Sequence, residues 1–85
     1  MATGTPSPTP NPNALKFTLD VTLPARINVT DPDDAAGDPF AEAVFAVDGV
    51  VGLFGVNDFV TISRRPDADW DAIVPAVQAA IQNHI

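Results

Sequence analysis

Carboxylates are the most abundant reactive side chains in this chain of 85 residues. It contains 11 Asp and Glu residues, one His, no Cys and no Tyr. The lack of cysteine excludes disulfides, cysteine nucleophiles and thiolate-held metals or clusters within this chain. Because carboxylate oxygens suit hard cations, the acidic loop at residues 31–38 is the first place to look for a metal site.

The spacing within this loop matches a calcium loop only in part. Counted from Asp31, Asp33 and Glu42 occupy positions 3 and 12, which favours a ligand role. However, Ala36 stands where a calcium loop needs glycine, and Pro39 falls on a further ligand position. The favoured interpretation is a solvated turn. A weak carboxylate site for iron or another divalent cation is kept as the alternative.

The remaining polar groups do not form a recognisable catalytic set. Asp67, Asp69 and Asp71 precede or begin a predicted helix, where the helix dipole stabilises their charged form. His84 has no second histidine with which to bind a metal, and Ser63 has no plausible base partner. The sequence therefore predicts a protein that is not an enzyme and has no cofactor.

The charge balance narrows the class of partner. Four Lys and Arg against 11 Asp and Glu give a net charge of −7. Binding to nucleic acid or to an anionic membrane needs clustered cations, so neither partner is expected. The opening residues lack the basic and apolar regions of a secretory signal, and cysteine is absent, so the predicted location is cytoplasmic.

Four strands are predicted along the chain from the pattern of apolar and turn-forming residues. Residues 1–9 are rich in proline and threonine and are predicted to form a flexible arm, followed by one domain at residues 10–85. A strand is predicted at 14–20 and a shorter one at 26–30, antiparallel to the first. Residues 50–56 and 59–63 flank Asn57-Asp58, which predicts a hairpin.

Two helices complete the prediction. Asp38 is a good N-cap with Pro39 at the first helical position, and Gly49 is a natural left-handed residue after the helix. The second helix follows the acidic segment 67–71 and carries an amphipathic pattern up to Ile85. The order ββαββα predicts a two-layer α+β fold, with a four-stranded, mainly antiparallel sheet and both helices on one face.

This arrangement leaves apolar residues on the far side of the sheet. If Val51 and Leu53 face the core, then Val50, Phe54 and Val56 face away from the helices. A contiguous apolar patch on a small protein often marks a partner-binding site, so these three residues are the candidate partner-binding site. The alternatives are that loops or the arm cover them, or that the strand register differs.

Several motifs follow one another along the chain. The first is the segment at 9–17, Thr-Pro-Asn-Pro-Asn-Ala-Leu-Lys-Phe, and the next are the helix segment at 39–50, which ends in Gly-Val, and the hairpin at 57–62. Trp70, Pro75 and Ile81 follow in the closing helix. In this order the motifs resemble the N-terminal domain of Nfu/NifU-type scaffold proteins, and the resemblance covers about residues 8–85.

The resemblance implies a small α+β domain and a link to iron–sulfur cluster assembly. In two-domain members, a separate C-terminal domain carries the CxxC pair that holds the cluster. This sequence has no matching cysteines, so the resemblance implies a stand-alone N-terminal domain with no cluster ligands. The predicted function is a non-catalytic accessory domain that docks a cluster carrier, an assembly factor or a client. The alternatives are the weak metal binder and a domain with no remaining cluster role.

Overall fold

A computed structural model describes residues 3–85 and shows five strands, two helices and one short 3-10 turn. The strands and helices follow one another in the order βββαββα, with the 3-10 turn at Pro32–Ala35 before the first helix. Their bounds are β1 Gly4–Pro8, β2 Ala14–Leu19, β3 Ile27–Val29, α1 Pro39–Phe45, β4 Val50–Val56, β5 Phe59–Arg64 and α2 Trp70–His84.

The strands form one antiparallel sheet in the order β1-β2-β5-β4-β3, and α1 and α2 pack together over one face of it. The predicted two-layer α+β class is therefore confirmed, but the sheet has five strands rather than four. The additional strand, β1, occupies part of the segment that the sequence analysis assigned to a flexible arm at residues 1–9. The folded unit begins at Gly4 instead of residue 10, and Met1 and Ala2 lie outside the described residues.

The neighbour predicted for β3 is wrong. We expected β3 to pair with β2, whereas it pairs with β4, so that Val29 lies opposite Leu53. The connection between β2 and β3 crosses the end of the β4–β5 hairpin. There the backbone N–H of Leu23 donates to the carbonyl of Asn57 at 2.6 Å, and the Leu23 side chain is buried. This connection carries β3 to the far edge of the sheet.

The predicted N-cap of α1 and the hairpin turn are confirmed, whereas α1 ends at Phe45 and not at the predicted Asp48-Gly49. Asp38 accepts hydrogen bonds from the backbone N–H groups of Phe40 and Ala41 and so caps α1. Asn57 has a φ of 56°, as a tight hairpin turn requires. Gly49 has a φ of +97°, and a Cβ there would lie 2.6 Å from the Cβ of Ala68, so only glycine fits.

One hydrophobic core lies between the sheet and the two helices. The alternation predicted for β2 holds, because Phe17 and Leu19 are buried and Leu15 packs against the core from its edge. The largest fully buried side chains come from β2, β4, β5 and both helices. They are Phe17, Leu53, Ile62, Ile73, Ile81, Val44, Val60 and Val77. The helices therefore cover one face of the sheet and leave the other face uncovered by any helix in the described part of the chain.

Candidate interaction site

We call the side of the sheet away from the helices the open face. Strand register assigns to it the residues that alternate with the buried ones. These residues are half-buried or exposed and are mostly hydroxylic or apolar. They are Thr5, Ser7, Lys16, Thr18, Asn28, Phe54, Val56, Phe59, Thr61 and Ser63. No helix packs on this side within the part of the chain that the structure describes.

A bulge in β4 changes the predicted binding site. The pairing of β4 with β5 shifts between Val50 and Gly52, so Val51 is an extra residue in the strand. As a result Val50 turns into the core and is 9% exposed, whereas Val51 is 43% exposed. The assignment of Val50 to the partner-binding site is therefore wrong, because a one-residue insertion exchanges the inward and outward positions.

Phe54 lies on the open face, as expected from the alternation in β4. Its side chain is 37% exposed, and its strand neighbours are Asn28 on β3 and Thr61 on β5. Val56 faces the same side and is half-buried opposite Phe59. Phe54, Val56 and Phe59 therefore form an apolar row on the adjacent strands β4 and β5.

Phe59 is a member of this row that the sequence analysis missed. The ammonium nitrogen of Lys16 lies 4.6 Å from the centre of the Phe59 ring, within the range of a cation–π contact. The signal was present in the sequence, since Phe59 is two residues before Thr61 in an alternating strand. The sequence analysis predicts a strand at 59–63 but assigns Phe59 to neither face of the sheet.

The charge pattern sets the open face apart from the rest of the surface. None of the 11 acidic residues lies within a strand, although the net charge is −7. Lys16 is the one charged residue among the open-face positions of the described strands. Protein interfaces are depleted of charge at their centre and enriched in aromatic residues. The open face has both properties.

The acidic loop has a structural role in this fold. Asp31 accepts from the backbone N–H of Asp33 at 3.0 Å and caps the 3-10 turn, while Asp38 caps α1. No group of three or more His, Cys, Asp or Glu side chains comes together among the described residues. The arrangement therefore gives no support to the alternative of a carboxylate metal site. His84 lies in the last turn of α2, as expected from the sequence.

The Pro-Asn segment before β2 is an ordered turn held by side chains. Thr9 Oγ1 donates to the carbonyl of Asn11 at 2.9 Å and accepts from the backbone N–H of Asn11 at 3.2 Å. Asn11 Oδ1 accepts from the backbone N–H of Asn13 at 2.9 Å. Asn11 thus forms a turn in which its side chain binds the backbone two residues later. The indole N–H of Trp70 also reaches this turn and donates to the carbonyl of Pro12.

No helix in the described part of the chain is long and apolar enough to cross a membrane.

Comparison with known families settles what kind of domain this fold is. The family described as "Scaffold protein Nfu/NifU N terminal" matches residues 5–85, nearly the whole chain. The chain belongs to this family. The match to the Nfu/NifU N-terminal family includes most of β1.

Curated relatives place Nfu/NifU N-terminal domains inside longer proteins. The chain is 42% identical over 78 residues to the NFU1 iron-sulfur cluster scaffold homolog, mitochondrial, of Drosophila erecta, covering 88% of this chain and 28% of the relative. It is 40% identical over 75 residues to the uncharacterized protein YpgR of Bacillus subtilis, covering 86% of this chain and 20% of that protein. The chain thus spans about a quarter or less of the length of these relatives.

Solved structures share the fold. The crystal structure of protein SAV1430 from Staphylococcus aureus matches with a TM-score of 0.75 at 31% identity, covering 89% of this chain and 93% of that one. The solution structure of a NifU-like protein from Saccharomyces cerevisiae matches with a TM-score of 0.82 at 26% identity, covering 94% of this chain and 75% of the other. The five-stranded arrangement with two helices is therefore that of the family.

Proposed function

We propose that this Nfu/NifU N-terminal domain is a non-catalytic docking module of iron–sulfur cluster assembly. It binds a cluster carrier, an assembly factor or a client protein through the open face and holds no cluster itself. The observation that carries the proposal is the exposed Phe54 on a sheet face whose strands contain no carboxylates among the described residues. Large aromatic side chains at the centre of an interface commonly supply most of the binding free energy.

Family membership connects this surface to cluster chemistry. The chain has no cysteine, and biological iron–sulfur clusters are held mainly by cysteine thiolates. A domain without thiolates can take part in this chemistry by binding a polypeptide that carries the cluster. The partner is therefore a cysteine-bearing protein, and the proposed setting is the cytoplasm, as expected from the sequence.

The open face is large enough for a protein interface of ordinary size. The molecule extends 32 × 27 × 19 Å, so one face offers the area that specific complexes commonly bury and less than the larger permanent assemblies do. Long-range repulsion between copies carrying a charge of −7 each also opposes stacking of two open faces.

The test uses a purified Nfu-type C-terminal domain with its CxxC pair as the probe, with and without its cluster. Calorimetry is expected to detect binding of the probe to this chain. The Phe54→Asp variant, which places a charge on the open face, is expected to lose this binding. Val21→Asp is the matched control. Val21 is 38% exposed but lines a groove with Phe40 and Ile85 on the helix side. Equal binding by both variants would contradict the proposed site.

A second measurement tests whether the domain itself holds a cluster. After incubation with ferrous iron and sulfide under reducing conditions and removal of free ions, the chain is expected to retain no visible charge-transfer absorption. Retained cluster bands would overturn the proposed division of labour between this domain and its partner.

A further inference from the structure

The backbone of β2 bonds alternately to its two neighbouring strands. The N–H of Leu19 donates to the carbonyl of Asp58, at the end of β5, at 2.6 Å. In antiparallel pairs, successive residues direct their N–H and C=O groups to opposite neighbours. The backbone groups of Phe17, like those of Leu19, therefore bond to β5, whereas those of Lys16 and Thr18 bond to β1.

Prolines in β1 follow the same alternation. Thr5 lies opposite Thr18 and Ser7 lies opposite Lys16, so these two residues direct their backbone groups toward β2. The backbone of Pro6 and Pro8 faces away from β2, so their lack of an N–H removes no hydrogen bond between the two strands. The outer edge of β1 is consequently closed to further strands, and the backbone of only two residues attaches β1 to β2.

Side-chain packing adds little to this attachment. Gly4 is the one buried residue of β1, and it has no side chain to bury. Gln78 on α2 donates from Nε2 to the carbonyl of Gly4 at 3.1 Å. Segments with few buried apolar groups open locally at a lower free energy than the core strands. β1 has this character, while β2 is fixed on its other side by β5.

We propose that β1 is an exchangeable strand, and that the edge of β2 beneath it binds an extended segment of a partner polypeptide. The incoming strand replaces the backbone hydrogen bonds of Thr5 and Ser7 and runs antiparallel to β2. This edge adjoins the open face, to which Lys16 and Thr18 belong. The inference concerns backbone pairing along β2, and so goes beyond the proposed docking of a carrier through Phe54.

The geometry also defines which segment fits. Glycine fits best opposite Leu19, because a Cβ on Gly4 would lie 2.5 Å from Cδ1 of the buried Ile81. The positions opposite Thr18 and Lys16 must carry an N–H and cannot be proline. An acidic side chain opposite Lys16 adds a favourable cross-strand pair. The predicted partner motif is therefore a glycine, a residue other than proline directly after it, and an acidic residue two positions further along.

Amide hydrogen exchange of the full chain tests the opening of β1. The amides of Lys16 and Thr18 are expected to exchange at least about tenfold faster than those of Phe17 and Leu19, although all four belong to one strand. The Phe54→Asp variant is expected to keep this alternation, which separates this inference from the proposed function. Equal protection along β2 would overturn the inference.

Peptide binding tests the exchange itself. The full-length double variant Thr5→Pro and Ser7→Pro removes both donors that attach β1, while Phe17 and Val60 report that the core stays folded. A capped peptide of residues 3–9 added in trans is expected to restore protection of Lys16 and Thr18. The same peptide with glutamate in place of Ser7 is expected to bind more tightly. A peptide with valine in place of Gly4 is expected not to bind. Equal effects of all three peptides, or none, would contradict an edge that selects its strand.

Discussion

Trp70 on α2 donates a hydrogen bond from its indole N–H to the carbonyl of Pro12, 58 residues earlier in the chain, at 3.2 Å. The other partner of the indole is Arg64, whose guanidinium carbon lies 5.1 Å from the ring centre. Arg64 in turn donates from Nη1 to the carbonyl of Ala68 at 2.7 Å. Trp70 thus ties the Pro-Asn turn before β2 to the start of α2 and to the end of β5.

Replacing Trp70 by phenylalanine is expected to lower the free energy of unfolding by about 1 kcal/mol, the typical net value of one hydrogen bond. The phenyl ring keeps contact with Arg64 but cannot donate to Pro12. Urea unfolding measures the change. Gln82→Ala on the exposed side of α2 is the control and is expected to change stability by less than about 0.5 kcal/mol. A Trp70→Phe variant as stable as the control would show that the hydrogen bond contributes nothing.

The bulge in β4 makes opposite predictions for two adjacent valines. Val50→Ala removes two buried methyl groups and is expected to destabilise the fold by about 1–2 kcal/mol. Val51→Ala removes the same atoms from an exposed position and is expected to cost less than about 0.5 kcal/mol. Chemical denaturation of the two variants provides the comparison. The reverse order would mean that β4 is a regular strand with Val51 in the core.

The same pair shows why the candidate site could be predicted only in part. Alternation of apolar residues correctly placed Phe54 on the outer face, because β4 is regular from Leu53 onward. It misplaced Val50, because the inserted residue depends on how β4 fits against β5, and nothing in an apolar run such as Val50-Val51 marks it. Phe59 was missed because a strand former and a face residue look alike in sequence.

Much of the fold followed from local signals. The starts of α1 and α2 depend on Asp38 and Asp69, whose side chains bind the adjacent backbone, and the hairpin turn depends on the positive φ of Asn57. The end of α1 did not follow, since the helix stops at Phe45 and not at Asp48-Gly49. The partner of β3 did not follow, since strand pairing depends on the route of the chain past Leu23. Strand β1 was missed because Pro6 and Pro8 disfavour a central strand, and the sequence does not show that they face the outer edge.

Gly4→Ala is expected to detach β1 with little effect on the rest of the fold. The added methyl group collides with Ile81, which is fully buried and cannot move aside without disturbing the core. Exchange of the Lys16 and Thr18 amides is expected to accelerate at least about tenfold. The amide of Val60 is expected to be affected much less.

Thr5→Ala serves as the control for this substitution. It keeps the backbone N–H that faces β2 and changes an exposed side chain, so exchange along β2 is expected to stay as in the unaltered chain. A global loss of protection in Gly4→Ala, including Val60, would show that β1 is an integral part of the cooperative unit.

The most direct test of the docking account is an NMR titration of the isotope-labelled chain with an Nfu-type C-terminal domain that carries the CxxC pair. The account predicts chemical-shift changes concentrated on the open face, at the amides of Lys16, Phe54 and Thr61, with little change along α1 and α2. Changes centred on the helices, or none with the probe at millimolar concentration, would contradict docking through the open face.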